Sequence, residues 1–395
     1  MQLQAAALGP GAIPLCGALV SDAGGFDQIA GEWNDLFRRS GCENVFLSFA
    51  WMSTWWTHFG KGQLALIAVR ESSGQLVAVA PFYVARNAPA AGARRLGFLA
   101  DQRVGSDHLE ILCDPAFENA AIEEIARVLF AHGDLWDFVE LRNAADSPLT
   151  GALSRALTTG GMQVRETHRH ACRYIALPES FEQYLAGVRI GLRANFRRRW
   201  RNLQGEQRAE CLAFSSQAGI ERHFPVLLAL HRMRFEQQKA SSAFLAPGVP
   251  EFHTAAMRVL AAQGLARLFL LEAGGETVAA LYGFVVSRTF QFYQCGMRPA
   301  WRRYGVGQVL IGNTIAHTIA MGLTTFDFLR GAEPYKARWA DRTRDNVTLC
   351  FFDRRPANVA VHWKLRISGA LHATTRAVRT RLPRHLFGAA HSGSA

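Results

Sequence analysis

The chain has 395 residues, of which 49% are hydrophobic and 19% charged, with a net charge of +12. That length predicts two units of about 150–200 residues, and that composition excludes a disordered or fibrous chain. No apolar run reaches the ~18 residues of a membrane span, and no basic residue precedes the mildly apolar stretch at the N-terminus as a secretory signal requires.

The seven cysteines are scattered singly, without a C-x-x-C pair. They predict reduced thiols in a cytoplasmic protein, with neither a disulfide frame nor a metal site.

In chain order, a helix is expected at 25–39, followed by an aromatic block at 46–59. Segments 63–70 and 75–84 read as two strands joined at Ser72-Ser73-Gly74, a hairpin signal. A strand at 108–112, a helix at 118–132 and a strand at 137–141 complete the first half. The order is β-β-β-α-β. Around 159–173 glycine, threonine and histidine concentrate, and a boundary is expected there.

Past that boundary, Arg189, Arg193, Arg197 and Arg201 recur at four-residue spacing and draw one basic stripe along a helix, thickened by Arg198 and Arg199. Leu192, Phe196, Trp200 and Leu203 mark its apolar face. The stripe predicts an anionic acceptor, with a solvated helix neutralised from elsewhere as the alternative.

The β-β-β-α-β order then returns more clearly. Strands are expected at 265–272, 277–286 and 289–296, a helix at about 305–321 and a closing strand at 325–329. Two copies of one supersecondary order predict a tandem arrangement. The class is α/β (α+β), each unit a mixed, mostly antiparallel sheet flanked by helices. The units are placed at 1–165 and 166–360. A tail at 361–395 is expected to be partly disordered. From Phe351 onward eight Lys/Arg face one acid, Asp353, so this end is either a solvated tail or a surface for anionic lipid or an acidic partner.

Arg302-Arg303-Tyr304-Gly305-Val306-Gly307 lies between the third strand and the helix of the second copy. A strand turning through close glycines into a helix presents free N–H groups at the positive end of the helix dipole, a cradle for phosphate. The matching stretch of the first copy, Gln102 to Gly105, lacks the second glycine. One anion site is therefore expected, with the first half left to the acceptor. From the closing strand onward, Asp327, Arg330, Glu333, Tyr335 and Lys336 crowd the C-terminal end of the sheet, where open α/β sheets bind ligands.

The loop RRYGVG resembles the acyl-CoA pyrophosphate loop of the GNAT superfamily. Together with FDFLRGAEPYKARW (326–339) and FAWMSTWWTHFG (49–60), it resembles the CelD-like (BcsL) acetyltransferases, tandem-GNAT proteins related to FemABX transferases. The resemblance implies tandem GNAT-like domains and an acyl-CoA-dependent N- or O-acyltransferase, acetyl-CoA being the expected donor. It also implies a link to cellulose or other exopolysaccharide synthesis and a saccharide or other small acceptor. Arg302, Arg303, Tyr304, Gly305, Val306 and Gly307 would hold the cofactor, with Gln294 and Met297 beside the thioester. Glu333 is the expected base, Tyr335 the acid, and Lys336 a stabilising charge. Asp327 and Arg330 shape the site or form a structural ion pair. Arg193, Arg197, Arg330 and Trp55 are the expected acceptor residues, Trp55 by stacking on a sugar. A FemABX-like aminoacyltransferase using aminoacyl-tRNA, and a catalytically silent scaffold, stand as alternatives.

Overall fold

The computed structural model describes residues 14–86 and 92–353. The basic tail expected at 361–395 lies outside them. The chain opens with β1 (Leu15–Val20), α1 (Ala23–Gln28), α2 (Ala30–Arg39) and α3 (Phe49–Phe59). Each arm of the expected hairpin is broken in two: β2 (Gly62–Leu64) and β3 (Leu66–Glu71), then β4 (Leu76–Ala80) and β5 (Phe82–Ala85). The second break falls at Pro81, which has no N–H to give to a ladder. β6 (Arg95–Phe98), β7 (Leu112–Cys113), α4 (Glu118–Ala131), β8 (Phe138–Ala145) and α5 (Pro148–Thr159) follow.

The second half runs β9 (Gln163–Ala176), α6 (Phe181–Gly187), α7 (Ile190–Gln207), β10 (Glu210–Phe214), α8 (Gln217–Gln237) and α9 (Val249–Ala262). It continues through β11 (Ala266–Ala273), β12 (Glu276–Val286), β13 (Thr289–Met297), α10 (Val306–Ala320), β14 (Thr325–Arg330), α11 (Lys336–Trp339) and β15 (Arg342–Phe352).

The breaks at Ala65 and Pro81 send the arms into different sheets. β3 and β4 join a four-stranded sheet ordered β1-β3-β4-β7, and β2 and β5 join an eleven-stranded one ordered β10-β11-β12-β13-β14-β9-β15-β8-β6-β5-β2. Among the described residues only β13–β14 and β6–β8 pair in parallel; the other strand pairs are antiparallel. β9 and β15 stitch the halves together: β15 pairs with β9 along its length and with β8 of the first half. The boundary expected at 165/166 thus falls inside a strand. The strand expected at 108–112 is instead a loop with one bridge, Leu109 to Ala144, ahead of the short β7, because His108 takes a left-handed backbone (φ +52°) that breaks a ladder.

Alternation along the central strands explains how two cores share one sheet. On β11, Leu268 and Leu270 face the core shared with the first half, α8 and α9, whereas Phe269 and Leu271 face the core containing α7 and α10. Glycines set the closest approaches. At Gly296 on β13 a Cβ would press on the backbone of α8, 2.7 Å from the Leu230 carbonyl carbon. Gly296→Ala is therefore expected to lower the unfolding free energy by about 1–3 kcal/mol, read from a denaturant midpoint. At Gly312 on α10 the ring of Phe196 takes the place of a side chain and seats α7 across α10.

Candidate active site

β13 pairs with β14 only over Thr289–Gln291. A bulge at Tyr293, where the register on β12 slips between Tyr282 and Gly283, turns the rest of β13 away. From Phe292 to Met297 its β14-side edge has no strand partner among the described residues, and two adjoining cavities open in the gap.

The first cavity, about 320 Å³, is lined by Met297, Arg302, Gly305 and Gly307, with Arg199 and Arg234 arriving from α7 and α8. Among the described residues, three arginines and no acidic residue line it. Gly305 takes the left-handed conformation (φ +70°) that ends the short 3₁₀ turn 299–304 and caps α10. The guanidinium of Arg199 lies where a Cβ on Gly305 would be, its Cζ 2.6 Å from that position. The amides of Val306 and Gly307 open α10 without a protein acceptor among the described residues, as the first turn of a helix must.

The second cavity, about 240 Å³, shares Arg234, Cys295 and Tyr335 with the first. Gly105 and Asp107 of the first half face Gln294, Arg330, Glu333 and Lys336 of the second across it. Lys336 is buried, and its ammonium donates to the Arg330 carbonyl at 2.7 Å and holds Glu333 at 3.1 Å. The Glu333 side chain keeps half its surface exposed. Burial pushes the Tyr335 phenol well above its ordinary range, so it stays protonated and able to donate. Asp107 is spent on Arg330 N–H (2.9 Å) and Asn346 Nδ2 (3.0 Å).

Several expected residues stand elsewhere. Arg303 stacks on Tyr304 with its Cζ 4.8 Å from the ring centroid, Val306 is buried in the core, and neither Arg303, Tyr304 nor Val306 lines a cavity. Arg197 pairs with Glu182 on the surface, and Arg193 lies outside both cavities. Asp327 sits under the site. Its carboxylate binds His108 Nε2 at 3.0 Å, Arg344, and the Leu329 N–H at 2.7 Å, fixing the left-handed Leu329 (φ +57°) from which Arg330 to Lys336 depart. Trp55 corrects the sugar-stacking expectation. It is only 2% exposed, its Nε1 donates to the Gln102 carbonyl, and its ring packs on Tyr83, so no face is open to a ligand.

Arg199 and Arg234 are the cavity cations that sequence reasoning did not assign to the site. Arg199 follows Phe196 by three and so flanks the face α7 turns toward α10; Arg193, three residues before Phe196, flanks that face on its other side and lines neither cavity, while Arg197 and Arg201 lie off it. For Arg234 the sequence carries no such signal.

Residues 191–337 match the acetyltransferase (GNAT) domain. The chain carries a GNAT-type transferase fold. The crystal structure of FemX superposes with a TM-score of 0.57 at 9% identity, covering 80% of this chain and 95% of FemX. The C-terminal domain of a putative lysylphosphatidylglycerol synthetase from Agrobacterium fabrum gives 0.52 at 10% identity, covering 85% and 95%. A conserved protein of unknown function from Bacteroides thetaiotaomicron gives 0.52 at 10% identity, covering 82% and 97%. No curated protein matches the sequence. At such identities the likeness concerns the fold: a GNAT-like unit in a chain whose two halves together correspond to FemX.

Proposed function

We propose that this protein transfers an acyl group from acyl-CoA, acetyl-CoA first among them, directly to an amine or hydroxyl. The observation that supports this most is the acid-free, three-arginine cavity at the start of α10, which meets a second cavity at Tyr335 and Cys295. The residues present fit a pyrophosphate: Gly305 and Gly307 keep the backbone bare, Arg199 and Arg302 supply charge, and the α10 amides supply donors. An unpaired amide on the β13 edge between Gln294 and Met297 receives the thioester oxygen as charge develops on it. Glu333 takes the proton of the attacking acceptor, Lys336 fixes Glu333 and adds positive charge, and Tyr335 protonates the departing thiolate. The acceptor occupies the second cavity between the halves. The resemblance to CelD-like proteins extends the proposal to a saccharide acceptor in exopolysaccharide assembly. Seven free thiols suit a reducing, cytoplasmic setting, and no helix among the described residues is long and apolar enough to cross a membrane.

Calorimetry with acetyl-CoA and a transfer assay over amine and hydroxyl acceptors test this. Glu333→Gln is expected to bind acetyl-CoA within about threefold of wild type and to lose transfer by about 10²–10⁴-fold. Wild type that binds no CoA would overturn the proposal. A second reading, aminoacyl transfer from tRNA, is favoured by the exposed Arg197, Arg198 and Arg201 of α7, outside both cavities. It requires RNA binding that weakens steeply with salt.

A further inference from the structure

Arg234 on α8 stands where the two cavities meet, lining both. The charges around it are already committed. Arg330 is held by Asp107 (3.5 Å) and by the Asn143 side-chain oxygen, and Lys336 by two carbonyls and Glu333. Arg234 alone among the cations of the second cavity has no carboxylate at ion-pair distance among the described residues. Its Nε is fully buried without a hydrogen-bond partner among those residues. One terminal nitrogen donates to the Cys295 sulfur at 3.4 Å, and its Cζ lies 5.7 Å from the Phe235 ring centroid. Burial raises the Cys295 thiol, which therefore provides no thiolate to balance the guanidinium. A partly buried guanidinium that faces both cavities without a counter-charge is matched by a planar or tetrahedral anion that accepts from its fork.

We infer that Arg234 recognises an anionic group, a carboxylate or a phosphate, carried by one of the two reacting molecules close to the transferred acyl. This deepens the proposed acyl transfer and rests on it. The anion belongs either to the acceptor or to the distal end of the acyl chain, and the cofactor's own phosphates stay with Arg199, Arg302 and the start of α10.

The test is a calorimetric titration of inorganic phosphate into CoA-saturated protein. Wild type is expected to bind phosphate saturably, Arg234→Gln to bind it about tenfold or more weakly, and Arg232→Gln, an exposed neighbour on the same helix, to match wild type. CoA affinity of Arg234→Gln should stay within about threefold, since charge-assisted bonds to the pyrophosphate are untouched. Its thermal midpoint should stay close to or exceed that of wild type, because a partly buried charge without a counter-ion has been removed. Succinyl-CoA against acetyl-CoA assigns the anion. A preference for succinyl-CoA that vanishes in Arg234→Gln places it on the acyl chain, and equal binding places it on the acceptor. Phosphate binding equal in wild type and variant, or absent in both, overturns the inference, as does a large loss of CoA affinity or of stability in Arg234→Gln. If wild type binds no CoA, the acyl-CoA proposal falls separately. The phosphate titration is then repeated with the loop closed by Gly307→Glu and still judges Arg234.

Discussion

Gly307→Glu protein is expected to fold as well as wild type and to bind acyl-CoA about a hundredfold more weakly. Gly307 lies in the first turn of α10, and a Cβ there would meet only the Met297 sulfur at 3.5 Å, an ordinary contact. Replacing a helical glycine recovers about 0.5–1 kcal/mol of backbone entropy, and an acid in the first turn is favoured by the dipole. The same carboxylate enters the cavity beside Arg199 and Arg302 and occupies the donors that a pyrophosphate needs. Each charge-assisted hydrogen bond is worth about 1.5–3 kcal/mol, so losing one or two accounts for the expected factor. Gly305→Ala is the contrasting variant. Its φ of +70° and the Arg199 guanidinium packed on it make any side chain strained, so stability should fall together with binding. Calorimetry with CoA and thermal melting separate the two effects. A folded Gly307→Glu with unchanged CoA affinity would show that the pyrophosphate does not sit at the start of α10.

The place and backbone shape of the glycine loop were legible because their causes are local. β11 to β14 alternate apolar side chains between two buried faces, and Gly305 needs its own positive φ whatever surrounds it. The parts that escaped are those whose reason lies across the fold. β9 is exposed along most of its length and polar in sequence, so no periodicity marks it. It is a strand because β15 returns from the end of the described chain to pair with it. Trp51, Trp55 and Phe59 have the same four-residue spacing whether they meet a sugar or a core, and Trp55 met Tyr83. Among the arginines of α7, charge density pointed to the exposed stripe, while Arg199 reached the cavity because it flanks Phe196, which packs into Gly312. The turns at Ala100, Arg103 and His108 adopt positive φ without glycine; Arg103 lies over the Phe59 ring, and His108 is held from the second half by Asp327 and Asn346.

Asp327→Ala is expected to destabilise the protein by about 3–5 kcal/mol, the largest single effect on folding that the site predicts. Asp327 is completely buried on β14, and its carboxylate joins three distant segments: His108 from the first half, Arg344 from β15 and the turn at Leu329. Truncation leaves His108 and Arg344 facing an empty acceptor and releases the left-handed Leu329, so Arg330 to Lys336 should lose their position and transfer should fall with stability. Asp327→Asn keeps an oxygen for the Leu329 N–H and should cost less. A pH dependence separates the ionic part. Burial by itself would raise the Asp327 carboxyl, but the charge and hydrogen bond of His108, then Arg344 and the Leu329 N–H, hold it at about 2, below its ordinary 3.8. A carboxylate depressed in the folded state binds fewer protons folded than unfolded. Its stabilisation is thus complete above about pH 4 and is lost as the pH falls toward 2, a contribution of about 2 kcal/mol. Urea midpoints measured from neutrality down to about pH 2.5 should fall more steeply for wild type than for Asp327→Asn, which has no proton to take up there. Parallel curves would mean that Asp327 holds the halves together by hydrogen-bond geometry alone, with its charge already balanced in the unfolded chain.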